Sequence, residues 1–102
     1  MSGNPLLKGF AAPHPGEFLR EDVLPATALS KVDVARRLGI SRAMLYAILD
    51  ESAPVSPAMA LRLARLLGGS AESWLNMQRD YDLRVLESEM ADELSTIEPV
   101  AA

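Results

Sequence analysis

Twenty residues, Ser30 to Leu49 (SKVDVARRLGISRAMLYAIL), leave this chain little choice of fold. Ser30 has the chemistry of a helix N-cap, and Asp33 stands three residues on as a weak capping-box partner. Val34, Ala35 and Leu38 form an apolar stripe at helical spacing. Gly39 stops the helix, because glycine enters the left-handed conformation of a tight turn without steric cost. Ile40 points inward, Ser41 caps a second helix, and Leu45, Ile48 and Leu49 are its inward positions. Ala35 is small where two helices must cross closely. Two short helices joined by such a turn make a helix-turn-helix, whose second helix enters the DNA major groove.

The flanking stretches are helical too. HPGEFLREDVL, His14 to Leu24, starts a first helix with Pro15 in its first turn, where the missing N–H costs nothing. Phe18, Leu19 and Val23 fall on its core face, and Pro25 is expected to end it. His14, the single histidine, lacks a second ligand or a nucleophile nearby, so a structural role at the helix start is expected. Ser56 and Pro57 open a helix through Leu67, with Met59, Leu63, Leu66 and Leu67 on one face and Gly68-Gly69 as its stop. Ser70 caps a last helix carrying Trp74, Met77, Tyr81 and Val85. Leu83, Leu86, Met90, Leu94 and Ile97 continue a helical stripe, so this helix is expected to extend past Leu86. The fold class is all-α, with one domain over residues 13–86. Residues 1–12 read as a loosely held arm and 87–102 as an acidic extension.

Composition closes off several functions. The chain of 102 residues has no cysteine, which removes disulfides and thiolate metal sites. No nucleophile pair or phosphate-binding glycine loop is legible, so the chain reads as neither an enzyme nor a cofactor or metal carrier. MSGNPLLKGF lacks a secretory pattern and no apolar run approaches the ~20 residues of a membrane span, so a cytoplasmic protein with no membrane partner is expected. The net charge of −4 looks wrong for a DNA binder, but the charge is segregated. Residues 30–49 hold Lys31, Arg36, Arg37 and Arg42 against Asp33, a net +3. Residues 80–102 hold seven acids against Arg84, a net −6. Nucleic-acid affinity follows the local face rather than the total.

On that face the residues opening the second helix reach bases: Ser41, Arg42, Ala43, Tyr46 and Ala47. Arg42 suits either a bidentate guanine contact or a phosphate. Ser41 caps and can also touch a phosphate, and Tyr46 suits a base, a phosphate or partial core packing. Ala43 and Ala47 offer only apolar contacts, such as to a thymine methyl, and Met44 suits groove or surface equally. Lys31, Arg36 and Arg37 suit the phosphate backbone. So thin a base-reading set predicts weak binding by one copy. The expectation is a homodimer on a palindromic double-stranded operator, with half-sites ~34 Å apart. Met77, Tyr81 and Val85 are the candidate dimer residues, with completion of the monomer's own core as the other reading.

HPGEFLREDVLP, ARRLGISRAMLYAIL and VSPAMALRLARLLGGSAESWLNMQRDYDL, in that order, resemble the HigA (VapI-like) antitoxins of the lambda-repressor-like, XRE-type helix-turn-helix group. The resemblance covers about His14 to Leu83. It implies a five-helix fold, a homodimer, repression of the protein's own operon, and a RelE-like ribonuclease toxin as partner. The N-terminal arm and the acidic extension are the candidate toxin contacts, since a basic nuclease is drawn to negative charge. Where many members carry a basic or Asn-Gly turn after the second helix, this chain has Asp50, Glu51 and Ser52, two acids expected to repel a phosphate backbone. The alternatives are a stand-alone transcriptional regulator and a toxin-binding protein with little DNA binding.

Overall fold

The computed structural model describes residues 12–101, and six helices carry the fold among them. They are α1 (residues 15–26), α2 (Lys31–Leu38), α3 (Arg42–Leu49), α4 (Pro57–Leu67), α5 (Ala71–Glu89) and α6 (Ala91–Ser95). The last is the break in the expected long helix: α5 runs beyond Leu86 and yields at Met90 to one short turn-and-a-half. The arm expected over residues 1–12 lies, apart from Ala12, outside the described residues.

The capping logic holds at every start it named. Ser30 Oγ accepts from the Asp33 N–H at 3.1 Å, Ser41 Oγ from Met44 at 3.0 Å, Ser56 Oγ from Met59 at 3.1 Å and Ser70 Oγ from Ser73 at 3.1 Å. Each satisfies one of the orphan amides of a first helical turn. Gly39 sits at φ 74° and ends α2 in a Schellman motif, with Ile40 N–H on Ala35 O and Gly39 N–H on Arg36 O.

Pro25 does not end α1. Proline has no N–H for the carbonyl four residues back, and its ring crowds that carbonyl. The helix widens instead into a π segment, Leu19–Val23, closed by the Leu24 N–H on Leu19 O, and then continues to Ala26. Phe18, expected in the core, is 38% exposed; its ring lies 5.8 Å from that of Trp74 at the edge of the core.

The core draws on every helix from α1 to α5: Leu19 and Leu24, Val34, Ala35 and Leu38, Leu45, Ile48 and Leu49, Val55 from the connector, Met59, Ala60 and Leu63, and Trp74. Ile40, Leu66 and Leu67 are half-buried against it. Gln78 is the buried polar side chain of α5. Its Oε1 accepts from the Val55 N–H at 2.8 Å and its Nε2 donates to Asp82 at 2.9 Å, which pins the connector before α4 to α5.

His14 does what its position suggested. It is buried, and its Nδ1 accepts from the Gly16 N–H at 2.8 Å, capping α1. Its ring meets Tyr81 edge-on at 4.9 Å. Burial holds its pKa below the ordinary imidazole value, with Glu51 and Asp82 pulling weakly the other way. The folded state therefore prefers neutral His14, and protonation at Nδ1 would break the cap. As pH falls below about 6.5 the unfolded chain takes up the proton first, so this contribution is complete above that value and declines toward the folded-state pKa. Thermal melts between about pH 8 and pH 5 should show this fall, and His14→Asn, which keeps a cap acceptor, should flatten it. An equal slope in the variant would assign the acid sensitivity to carboxylates instead.

Candidate nucleic-acid interface

The first half of α3 is set out for contact because its second face is taken. Leu45, Ile48 and Leu49 are buried at helical spacing, which leaves Arg42, Ala43 and Tyr46 pointing outward. Ser41, Met44 and Lys31 share the exposed surface, and Ala47 is half-buried. The Lys31 ammonium lies 5.8 Å from the Tyr46 ring centroid, so the start of α2 and the middle of α3 form one continuous face. The structure thus brings together Lys31, Ser41, Arg42, Ala43 and Tyr46 from the expected set.

The other two expected cations have other neighbours. Arg36 donates to Asp33 at 2.9 Å, an exposed i,i+3 pair, and the same guanidinium, with Ser30 second, holds the Asp33 carboxyl below the usual carboxylate range. Arg37 turns toward α4, where it lines a groove with Leu61, Arg62, Arg65 and Leu66. Met77 and Tyr81 are engaged within the chain: Met77 lines an apolar cleft with Phe18, Val23 and Trp74, and Tyr81 packs between His14 and the Arg84 guanidinium, 5.4 Å from its ring. Val85 is half-buried beyond them.

The two acids of the turn after α3 are held differently. Glu51 is at φ 66°, the left-handed position that closes a second Schellman motif, with Ser52 N–H on Ala47 O and Glu51 N–H on Ile48 O. That geometry swings its carboxylate toward α1, where Arg20 Nη1 lies 3.4 Å away. The same Arg20 nitrogen donates to Leu49 O, filling an orphan carbonyl at the end of α3. Asp50 alone keeps an exposed acid there. Arg62 plays the corresponding part for α2, donating to Leu38 O at 2.7 Å.

Sequence reading missed this bracing. Arg20 and Arg62 look like ordinary surface arginines, and nothing local marks the carbonyls they reach. One signal was present: Gly16, a poor helix former placed inside a first turn that alanine would favour. A Cβ built there overlaps the Ile48 carbonyl oxygen and stands 2.9 Å from its carbon, so the α1 backbone rests directly on the end of α3.

Comparison with known proteins agrees with this geometry. A helix-turn-helix family model matches residues 28–74. Virulence-associated protein I of Dichelobacter nodosus is 44% identical over 76 residues, covering 74% of this chain and 70% of that protein. The Pseudomonas aeruginosa antitoxin HigA, solved with the higBA promoter, superposes with a TM-score of 0.82 at 33% identity, over 88% of this chain and 99% of that one. The antitoxin GraA in complex with its operator gives 0.81 at 38% identity, over 88% and 92%. Cover of 88% of 102 residues cannot be reached without residues beyond Leu86, so the shared fold runs into the acidic extension. No helix of the described residues is long and apolar enough to cross a membrane. By its helix-turn-helix, its fold and its identity to these proteins over most of their lengths, the chain belongs to the HigA antitoxin family.

Proposed function

We propose that this protein is the antitoxin of a toxin-antitoxin pair, that it binds its own operator through α3 as a two-fold dimer, and that it neutralises a RelE-like ribonuclease toxin. One observation carries the DNA reading: Lys31 at the start of α2 joins Ser41, Arg42, Ala43 and Tyr46 of α3 in a single exposed face, while the opposite side of α3 builds the core. The relatives solved with a promoter and with an operator support the same use of the fold. The Arg20–Glu51 pair lessens the electrostatic objection, since one of the two turn acids faces a guanidinium rather than solvent alone. The dimer contact assigned here is the α5 stripe entered at Tyr81 and Val85. Its tie to function is mass action: two linked faces on a palindrome bind far more tightly than one.

The test is titration of the purified protein onto a duplex from its own promoter and onto a scrambled duplex, at two salt concentrations. Saturable, palindrome-dependent binding that weakens steeply with salt is expected. Equal affinity for the scrambled duplex would reject operator recognition. Lys31→Ala should weaken binding to both duplexes alike and lower the salt slope by about 1, as the loss of one phosphate contact does. The toxin half is tested separately, by co-expression with the product of the neighbouring reading frame and an RNA-cleavage assay with and without this protein. Undiminished cleavage in its presence would remove neutralisation from the assignment.

A further inference from the structure

The groove between α2 and α4, about 450 Å³, has no part in the function proposed above. Its size is that of a small-molecule site. Arg37, Leu38, Leu61, Arg62, Arg65 and Leu66 line it: three guanidinium groups, three leucines and no acid. Arg37, Arg62 and Arg65 are exposed, and none makes an ion pair among the described residues. Arg36, beside Arg37 in sequence, is by contrast engaged by Asp33. Arg62 and Arg65 are three apart on α4, so they rise from one face of it, and Arg37 meets them from α2. Like charges gathered round one space repel, and an anion set between them relieves that repulsion while gaining three attractions.

Arg62 ties this groove to the helix-turn-helix. Its Nη1 donates at 2.7 Å to Leu38 O, the last carbonyl of α2. A Cβ on Gly39 would stand 2.8 Å from the same nitrogen, so the glycine that makes the turn also leaves room for the guanidinium. A guanidinium carries five N–H donors, and one is used on Leu38 O, which leaves four for a ligand. A ligand on Arg62 would therefore be fastened, through one side chain, to the turn before α3.

The lining selects the ligand. A RelE-like basic nuclease is turned away by three arginines. The α3 face does not continue into the groove, because Arg37 follows Lys31 by six residues, about 9 Å along α2 and about 240° around it. Arginine presents a planar fork that matches phosphate two bonds at a time, and its plane stacks on flat rings. Leu61, 65% exposed, and half-buried Leu66 add apolar surface for such a ring. The carboxylates of an acidic peptide are spread along its backbone, whereas adjoining phosphates put their charge into one small space. We propose that the groove binds a mononucleotide, its phosphates among Arg37, Arg62 and Arg65 and its base against Leu61 and Leu66, and that occupancy steadies the Gly39 turn through Arg62.

The test is calorimetric titration of the full-length protein with ADP, inorganic pyrophosphate and adenosine in magnesium-free buffer, so that no cation neutralises the phosphates. ADP should saturate one site per chain, pyrophosphate should bind at least tenfold more weakly, and adenosine should not register. At ten times its dissociation constant, ADP should raise the melting temperature by roughly 6–11 °C. The amides of Gly39 and Ile40, which donate to Arg36 O and Ala35 O, should exchange hydrogen more slowly with ADP bound. A chain carrying Arg37→Gln and Arg65→Gln, both exposed positions and checked for folding by circular dichroism, should lose ADP affinity at least tenfold. In Arg62→Gln, residual binding should no longer slow exchange at Gly39 and Ile40. No heat and no thermal shift with ADP would overturn the site. ADP binding unchanged in the Arg37–Arg65 variant would place it elsewhere and overturn the groove. Pyrophosphate equal to ADP would overturn the nucleotide assignment in favour of a bare anion. Release of ADP by scrambled duplex DNA would give the groove to the phosphate backbone, and tighter binding of polyglutamate than of ADP would give it to an acidic peptide; either overturns the proposal. Slower exchange that persists in Arg62→Gln would overturn the link to the turn.

Discussion

Replacing Gly16 with alanine should destabilise the fold by about 3 kcal/mol, the upper end of what overpacking a close contact costs. A Cβ at this position meets backbone, not a side chain that can swing away: it overlaps the Ile48 carbonyl oxygen and lies 2.9 Å from the carbonyl carbon. Relief requires α1 to lift from the end of α3. That motion also pulls His14 from its contact with Tyr81 and withdraws Arg20 from Leu49 O. In a domain near 100 residues, a loss of that size lowers the melting temperature by roughly 12–24 °C. Gly69→Ala is the internal control. Its φ of 80° disfavours alanine, but nothing lies within 4 Å of its Cβ direction, so about 1–2 kcal/mol is expected. Equal effects of the two substitutions would show that α1 does not rest on α3 as described. Because α1 supports the recognition helix from behind, Gly16→Ala should also weaken operator binding at temperatures where the protein remains folded.

The second large effect is on DNA. Arg42→Ala should cost about 1–3 kcal/mol of operator affinity, the discrimination a bidentate guanine contact supplies. Arg42 is the first residue of α3, it is exposed, and it makes no ion pair among the described residues. Arg36, by contrast, is already engaged by Asp33. The substitution leaves the core and the Ser41 cap untouched, so the melting temperature should hardly move. Fluorescence anisotropy against operator and scrambled duplex separates the two roles open to Arg42. A base contact is lost on the operator alone, whereas a phosphate contact is lost on both with a salt slope lower by about 1. An unchanged isotherm on both duplexes would take Arg42 off the interface.

The helix-turn-helix was legible because its signals are local. A serine cap reaches an amide three residues away, a glycine closes the turn beside it, and an apolar stripe is a property of helical pitch; all stand in Ser30 to Leu49 as read. The misreadings arose where a neighbour changed the outcome. Pro25 is a helix stop only if the backbone keeps α geometry, and a π segment avoids the crowding. Phe18 has core periodicity, but α1 sits so that Leu19 takes the interior and Phe18 meets the rim of Trp74. Glu51 is an exposed acid in sequence and a braced one in the fold, because the partner that turns it is thirty-one residues away.

What the sequence determined by itself is the serine-capped helix starts, the turn of the helix-turn-helix and the exposed face of α3, since each depends on residues within a turn or two. The tertiary structure alone decided which charges that face can use. Arg20 and Arg62 are spent on the carbonyl ends of α3 and α2, across separations of 29 and 24 residues. Gly16 is reserved for backbone contact, and Arg37 is drawn away to a groove with Arg62 and Arg65. These assignments follow from how helices pack, and packing brings together groups that no local pattern relates.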